Sequence, residues 1–174
     1  METIIPLGSF ECGLQQRQLF RHGKLWRKWY EDYPMLFDKD DFRIVKNQAK
    51  LGYHFYEWLG AIMLYHCMGY FVLLEKYEYQ NHPRKKEIIE LIDSELLDRV
   101  LENPRATSKS QLPDLLAYSV DCSDWFFCEA KGGKDKITQD QKSDFAKLAR
   151  LTERPVRLIH LAPQRNLWVN LMAI

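Results

Sequence analysis

A predicted β-hairpin near the middle of the chain constrains the fold more than any other feature. Residues 113 to 120 and 125 to 131 are short runs rich in aromatic and aliphatic residues, which is typical of buried strands. Turn-forming residues at positions 121 to 124 separate them. We expect Val120 to face Trp125 at the closed end of this hairpin.

This register decides where the charged side chains of the hairpin lie. It places Asp114 opposite Lys131, and Leu116 opposite Glu129. Side chains alternate between the two faces of a strand, so Asp114, Glu129 and Lys131 share one face. Asp114 and Glu129 become diagonal neighbours, roughly 7–8 Å apart at the backbone, and two carboxylates can close that gap around a divalent cation.

Two carboxylates and a lysine on one sheet face are a chemically coherent set. Carboxylate oxygens bind Mg²⁺ or Mn²⁺, and Mg²⁺ keeps several waters, one of which can become a nucleophile. The ammonium group of Lys131 can orient that water or neutralise charge on an attacked phosphate. This set predicts hydrolysis of phosphodiester bonds.

The residues around the hairpin extend this pattern. Pro113-Asp114 and Glu129-x-Lys131 resemble the PD-(D/E)XK nuclease superfamily, and the ordered run after the lysine resembles its VRR-NUC branch. The residues of this run are Gly132, Asp135, Ile137, Thr138 and Gln141. The resemblance covers residues 47 to 161. It implies an α/β fold with a restriction-endonuclease-like α/β/α core and a mixed central sheet, with N-terminal and inserted helices added.

The resemblance also implies an activity and a set of site residues. It implies a Mg²⁺-dependent DNA endonuclease, acting as a homodimer on junctions or as a flap nuclease. Metal ligands would be Asp114, Glu129, the backbone carbonyl of Ala130, and Glu57 on the helix before the first core strand. Gln141 would position Lys131 or the phosphate.

Several alternatives stay open. Glu129 and Lys131 are also consistent with an exposed ion pair at a strand end, and Glu57 with a solvent-facing residue. Thr138-x-x-Gln141 is also a capping box that opens a helix, and both functions of Gln141 are compatible. A non-catalytic nucleic-acid-binding or assembly subunit would carry the same fold. An RNA-cleaving relative is also an alternative, because the phosphodiester chemistry does not separate DNA from RNA.

Residues 1 to 46 are predicted to form an N-terminal arm and linker. Residues 1 to 13 are predicted to be an irregular lead-in, a segment without regular secondary structure, because they contain proline and glycines. Residues 14 to 30 alternate basic and aromatic side chains and predict two short helices broken near Gly23. These helices could grip phosphates and stack on bases, or pack their aromatics on the core. Residues 31 to 41 predict a linker loop.

Basic residues in several segments are candidates for contact with nucleic acid. Net charge is only +1, so any phosphate-binding surface must come from local segregation of charge. The three basic residues 84 to 86, which form the basic entrance to the predicted inserted helix, are further candidates for contact with phosphate. The candidate nucleic-acid-binding residues are Arg17, Arg21, Arg27, Lys28, Arg105, Lys109 and Lys134.

Residues 47 to 174 are predicted to form the nuclease-like core. The pattern predicts a helix over 47 to 68 that begins at Asn47 and ends at Gly69. A strand over 70 to 79, an amphipathic helical insertion at about 80 to 110, and the hairpin follow. A helix over 138 to 151, a strand over 156 to 161, a turn over 162 to 166 and a strand over 167 to 171 complete the order. We expect His160 to be a hydrogen-bonded core histidine.

Cysteine spacing and hydropathy bear on the compartment. Four cysteines show neither a C-x-x-C pair nor zinc-site spacing, so we expect them to be reduced and mostly buried. The N-terminus does not resemble a signal sequence, and no apolar run approaches membrane length. These features predict a cytoplasmic protein without a membrane partner.

Overall fold

A computed structural model describes residues 3–74, 77–79, 82–101 and 112–164. The chain has a mixed α/β fold, as predicted, and its sheet has five strands in the described residues. The strands are β1 (Ile4–Gly13), β2 (Phe71–Leu74), β3 (Leu115–Tyr118), β4 (Trp125–Gly132) and β5 (Val156–Gln164). The helices are α1 (Leu14–Arg21), α2 (Lys24–Asp32), α3 (Lys39–Gln48), α4 (Phe55–Met68), α5 (Pro83–Ile92), α6 (Leu96–Leu101) and α7 (Gln139–Thr152), with 3₁₀ turns at Ala49–Leu51 and Tyr77–Tyr79.

The sheet is open and mixed, with strand order β1-β5-β4-β3-β2. Strands β2, β3 and β4 are antiparallel neighbours, whereas β4, β5 and β1 run parallel. Parallel neighbours need a crossover connection, and α7 supplies it between β4 and β5. The predicted order of helix, strand, hairpin, helix and strand is therefore confirmed for α4 to β5.

Helices cover both faces of the sheet. On one face, α4 packs closely because Gly60 has no side chain: a Cβ there would lie 3.4 Å from Leu115 and 3.5 Å from Ala130. On the other face, Phe145 and Leu148 of α7 are buried with Phe127 of β4. These two layers fix the strand ends that carry the charged residues.

The hairpin differs from its predicted register by two residues. Tyr118 pairs with Trp125, and Leu116 pairs with Phe127. The predicted pairing of Val120 with Trp125 is wrong, because residues 119 to 124 form a longer turn in which Ser119 N donates to the carbonyl of Asp124 at 2.8 Å. A shift of two residues keeps every side chain on its predicted face.

The N-terminal region contributes to the sheet. Residues 4 to 13 form an edge strand, not an irregular lead-in, and pair with β5 through a bulge between Pro6 and Gly8. Edge strands tolerate proline and glycine because one side of the strand needs no partner.

The aromatic residues of the N-terminal helices pack inward. Phe20 and Trp29 are fully buried, and the ring of Phe20 contacts those of Phe55 and Trp58. Gly23 separates α1 from α2 as predicted, with φ of +77°. Packing on the core therefore accounts for these aromatics, and base stacking does not.

Two predicted boundaries in residues 31 to 68 are wrong. Residues 39 to 41, predicted as the end of a loop, form the first turn of α3, because the Asp38 side chain accepts hydrogen bonds from the backbone at residues 40 and 41 and caps the helix. The helix predicted from Asn47 begins only at Phe55, since Gly52 and His54 adopt left-handed backbone angles. Its predicted end at Gly69 is confirmed.

Later boundaries also shift. The strand predicted over 70 to 79 ends at Leu74 in the described residues, and the inserted helix divides into α5 and α6 at Asp93. Strand β5 continues to Gln164 through the predicted turn. The strand predicted at 167 to 171 lies outside the described residues, and the boundary between residues 46 and 47 stays a prediction.

A buried ion pair joins α5 to α3. Lys85 Nζ lies 2.6 Å from Asp41 Oδ1, and both side chains are almost completely buried. Arg84 donates to the carbonyl oxygens of Met35 and Val72. The prediction that the basic entrance at 84 to 86 contacts phosphate is wrong for Arg84 and Lys85, because both are used inside the fold.

The cysteines and the helices bear on two further expectations. All four cysteines are free; Cys12 and Cys128 are buried, Cys122 is half-buried, and Cys67 is exposed. None of the helices in the described part of the chain combines the length and apolar composition needed to cross a membrane.

Candidate functional site

Asp114 and Glu129 come together where β3 begins beside β4. Asp114 immediately precedes β3, and its backbone N donates to Glu129 Oε2 at 3.3 Å. The backbone N of Ala130 donates to Asp114 Oδ2 at 3.0 Å. The shifted register thus brings the two acids closer than the diagonal arrangement predicted from the sequence.

Glu129 is the buried centre of this cluster, with 2% of its surface exposed. Its Oε1 atom contacts Lys131 Nζ at 2.5 Å and accepts a hydrogen bond from Gln141 Nε2 at 2.8 Å. A buried carboxylate is costly unless it is paired. Lys131 and Gln141 supply that pairing, while Lys131 remains partly exposed.

Gln141 serves two partners at once. Its Oε1 accepts from the backbone N of Thr138 at 3.1 Å, and its own backbone N donates to Thr138 Oγ1 at 3.1 Å, which completes a capping box at the start of α7. Its amide nitrogen remains available to Glu129. The capping box considered from the sequence therefore occurs, and it fixes the amide that faces Glu129, while the positioning of Lys131 or a phosphate by Gln141 stays a prediction.

Negative charge accumulates around Asp114. Burial raises the pKa of Asp114 well above its usual value, and the nearby charges of Glu129 and Glu57 raise this pKa further. The Ala130 N–H and Lys131 oppose this rise only in part. The cluster therefore favours a bound proton or a cation at Asp114.

Glu57 lies within electrostatic reach of Asp114 but has another neighbour. Its Oε1 is 3.7 Å from Nδ1 of His54, and 27% of its side chain is exposed. The structure thus places Glu57 near the acidic pair, without a direct hydrogen bond to either Asp114 or Glu129 among the described residues.

The donor set fits a hard divalent cation. Asp114, Glu129 and the Ala130 carbonyl offer oxygen ligands, which Mg²⁺ and Mn²⁺ prefer. Within the described ranges, no three His, Cys, Asp or Glu side chains are grouped closely enough to hold a metal by themselves. Mg²⁺ keeps several waters and is commonly held by one or two carboxylates, so two acids and a carbonyl suffice.

Tyr56 and Tyr77 support the site, and sequence reasoning missed both. A Cβ on Gly132 would lie 2.1 Å from Cζ of Tyr56, so this ring packs directly on the backbone that follows Lys131. The buried Tyr77 hydroxyl donates to the carbonyl of Pro113 at 2.9 Å. The glycine that follows Lys131 is the available sequence signal for Tyr56, because glycine in a strand often marks a close approach to the backbone.

His160 is hydrogen-bonded, as we expected, but it is half-buried instead of lying in the core. Its Nε2 lies 3.0 Å from the carbonyl oxygen of Gly133, and its Nδ1 lies 3.3 Å from Ser9 Oγ. The ring thereby ties β5 to the turn after β4 and to β1.

The candidate nucleic-acid-binding residues fall into three groups. Arg17, Arg21 and Arg27 are exposed on α1 and α2, and Lys134 is exposed after β4. Lys28 forms an i, i+4 ion pair with Asp32 at 2.8 Å. Arg105 and Lys109 lie outside the described residues.

Comparison with protein-family models, curated proteins and solved structures finds no match for this chain.

Proposed function

We propose that the chain is a metal-dependent nuclease that hydrolyses DNA phosphodiester bonds. The observation that carries this proposal is the convergence of Asp114 and Glu129, with Lys131 on the same carboxylate and Gln141 behind it. The arrangement supports the resemblance to the PD-(D/E)XK superfamily and to its restriction-endonuclease-like core.

Asp114, Glu129 and the carbonyl of Ala130 would hold Mg²⁺ or Mn²⁺, with Glu57 as an outer acid. The bound metal would supply a water of lowered pKa and neutralise charge on the scissile phosphate. Asp114 is suited to binding a cation because the negative charges of Glu129 and Glu57 lie near its carboxylate.

Lys131 and Gln141 would act through their own polar groups. The Lys131 ammonium group, partly exposed beside Glu129, would orient the attacking water and stabilise charge that develops on phosphate oxygens. The Gln141 amide would hold the Glu129 carboxylate in one orientation, since its other end is fixed by the helix cap. A preorganised set of this kind needs little rearrangement during reaction.

A non-catalytic nucleic-acid-binding or assembly subunit is the second candidate. It is favoured by one observation: Glu129 Oε1 already has two partners, Lys131 and Gln141, so the buried charge is neutralised without a metal. An RNA-cleaving relative would use the same groups as the DNA enzyme, and only the choice of substrate distinguishes it.

Cleavage assays separate these candidates. The full chain is incubated with single-stranded, duplex, flap and four-way-junction DNA, and with RNA, in Mg²⁺, Mn²⁺ or EDTA. We expect DNA cleavage with either metal and none in EDTA. Sedimentation of the same samples tests the homodimer that the resemblance implies.

Glu129→Gln tests the assignment of the site. It removes the metal-binding charge while keeping the side-chain volume, so we expect cleavage to fall on the order of 10²-fold or more, with DNA affinity within a few-fold. The matched control is Glu87→Gln, on the exposed surface of α5. Cleavage by Glu129→Gln at the wild-type rate would show that the assignment is wrong, and DNA binding without cleavage by the wild type would favour the binding subunit.

A further inference from the structure

A concave basic pocket lies at the junction of α1 with the 3₁₀ turn at residues 49 to 51. Gln18, Arg21, His22 and Lys50 line it, and its volume is about 450 Å³. This volume is within the range of ligand-binding clefts. One hydrogen bond joins the two sides of the pocket: Arg21 Nε donates to the backbone carbonyl oxygen of Lys50 at 3.3 Å.

The charge of the pocket is not neutralised within the described part of the chain. Arg21 and Lys50 are exposed, and neither forms an ion pair with a described acidic residue. This differs from Lys28, which pairs with Asp32, and from Arg27, whose guanidinium lies 5.0 Å from the ring centre of Trp26. Two uncompensated cations beside a neutral amide in a concavity are suited to an anion such as a phosphate group.

Arg17 extends the basic surface from the pocket toward the candidate site. It lies one turn before Arg21 on α1, so both side chains project from one face of the helix. Gly52 lies between the two: a Cβ there would be 3.6 Å from Arg17 Nη2 and 3.9 Å from Arg21 Cδ. The arginines are therefore neighbours in space as well as in sequence.

Tyr56 completes the connection to the catalytic strand. The Arg17 guanidinium carbon lies 5.4 Å from the centre of the Tyr56 ring. The same ring packs on Gly132, the residue after Lys131. A line of contacts thus runs from the pocket through Arg17 and Tyr56 to the backbone of β4 next to Lys131, whose side chain projects from the other face of the strand.

We propose that this pocket binds a phosphate group of the nucleic-acid strand that enters the candidate site, and that Arg17 and Tyr56 lie along the path between them. The inference rests on the proposed nuclease function for the identity of the ligand. Of the candidate nucleic-acid-binding residues on α1 and α2, it selects Arg17 and Arg21 and leaves Arg27 and Lys28 outside the path. It adds Gln18, His22 and Lys50.

The test measures binding separately from cleavage. Affinity for a fluorescein-labelled DNA duplex is measured by anisotropy over a range of KCl concentrations, using the full chain with Glu129→Gln. Adding Arg21→Ala and Lys50→Ala should weaken binding on the order of tenfold. The slope of log affinity against log salt should shrink by about one for each lost phosphate contact.

A charge-matched pair controls for net charge. Lys86→Ala and Arg150→Ala remove two exposed cations from α5 and α7, whose buried residues pack on the opposite sheet face. We expect this pair to leave the salt slope unchanged. Equal losses in the two double variants would overturn the proposal, because they would show a general effect of charge.

Arg21→Ala also removes the hydrogen bond from Arg21 to the Lys50 carbonyl, so a second variant, Gln18→Glu, tests the pocket without breaking that contact. Gln18 is exposed, so the substitution should leave folding intact while placing a carboxylate in the pocket. We expect it to weaken DNA binding, and unchanged affinity would overturn the proposal. If the wild type does not cleave but these variants lose binding, the nuclease proposal fails and the phosphate pocket stands.

Two sources of phosphate give different results in the same assay. An internal backbone phosphate predicts equal affinity for strands with a 5′-phosphate and a 5′-hydroxyl. A terminal phosphate predicts tighter binding of the 5′-phosphorylated strand, with that difference lost in the Arg21→Ala, Lys50→Ala variant and reduced by inorganic phosphate. Either pattern supports the pocket only together with weaker binding of both strands by the Arg21→Ala, Lys50→Ala variant, and unchanged binding by that variant would overturn the proposal.

Discussion

Gln141→Glu should preserve one contact of this side chain, with the Thr138 backbone, and disrupt the other, with Glu129. Glutamate can accept the same hydrogen bond from the Thr138 backbone, and a negative charge at a helix N-terminus stabilises the helix by about 0.3–1 kcal/mol. The Nε2 hydrogen bond to Glu129, 2.8 Å long, would be lost. A hydrogen bond to a charged group contributes about 1.5–3 kcal/mol.

Repulsion adds to this loss. Two like charges about 4 Å apart repel by about 4 kcal/mol at an effective dielectric constant of about 20. Protonation of the new carboxylate limits the penalty: at pH 8 it costs about 5 kcal/mol, from an unfolded pKa of about 4.3 and 1.36 kcal/mol per pH unit. We therefore expect the variant to be about 4.5–5 kcal/mol less stable than the wild type at pH 8 in EDTA.

The pH dependence of this penalty has a definite sign. The folded-state pKa of the new carboxylate is raised above its unfolded value, so its contribution to stability is present below about pH 4.3 and is lost as pH rises through the folded pKa. At pH 5 protonation costs about 1 kcal/mol, and the resulting O–H can donate to Glu129. The difference between variant and wild type should fall to about 1 kcal/mol there.

Urea unfolding at pH 5 and pH 8 measures both differences, and the cleavage assay in Mg²⁺ should show that most activity is lost. Gln139→Glu is the matched control, because Gln139 is exposed in the first turn of the same helix. It should gain the small helix-terminus stabilisation at both pH values. The reasoning is refuted if Gln141→Glu behaves like this control, with raised stability at pH 8 and full activity.

Two further substitutions test the surroundings of the site. The pKa of Asp114 is raised in the folded state, so the folded wild type loses stability as pH rises and this carboxyl group ionises. Asparagine does not ionise, so the stability of Asp114→Asn relative to wild type should increase between pH 5 and pH 8 in EDTA. Unfolding curves at both pH values check this, and a pH-independent difference would contradict it. Gly132→Ala should cost about 1–3 kcal/mol in unfolding measurements, because its Cβ would overlap the Tyr56 ring. The same substitution in a Tyr56→Ala chain should cost much less relative to Tyr56→Ala alone, and an equal cost in both backgrounds would mean that the clash is not the cause.

Much of the candidate site could be predicted because strand periodicity is insensitive to the error that was made. The turn of the hairpin was assigned two residues too short at its first end, yet Asp114, Glu129 and Lys131 kept a common face. Gln141 followed from local sequence as well, since a capping box and a core-facing helix position are both defined within a few residues.

The missed features depend on partners that are distant in sequence. Pro6 and Gly8 argue against a strand locally, and only the pairing of β1 with β5 makes an edge strand of that segment. The break before α4 depends on His54, which has a left-handed backbone angle. No local sequence pattern predicts that angle. The basic pocket joins Arg21 to Lys50, which no spacing rule connects.

The position of β1 has a consequence for the order in which the chain can fold during synthesis. β1 leaves the ribosome before the other described strands, but its partner β5 is the last of these strands to be made, with Ile4 beside Val156 and Gly13 beside Gln164. Contacts between such distant segments form slowly, because closing a long loop costs entropy before any pairing rewards it. The antiparallel strands β2 to β4 can pair while β1 is still without a partner, so a chain that stops before Val156 has no place in the sheet for its first strand.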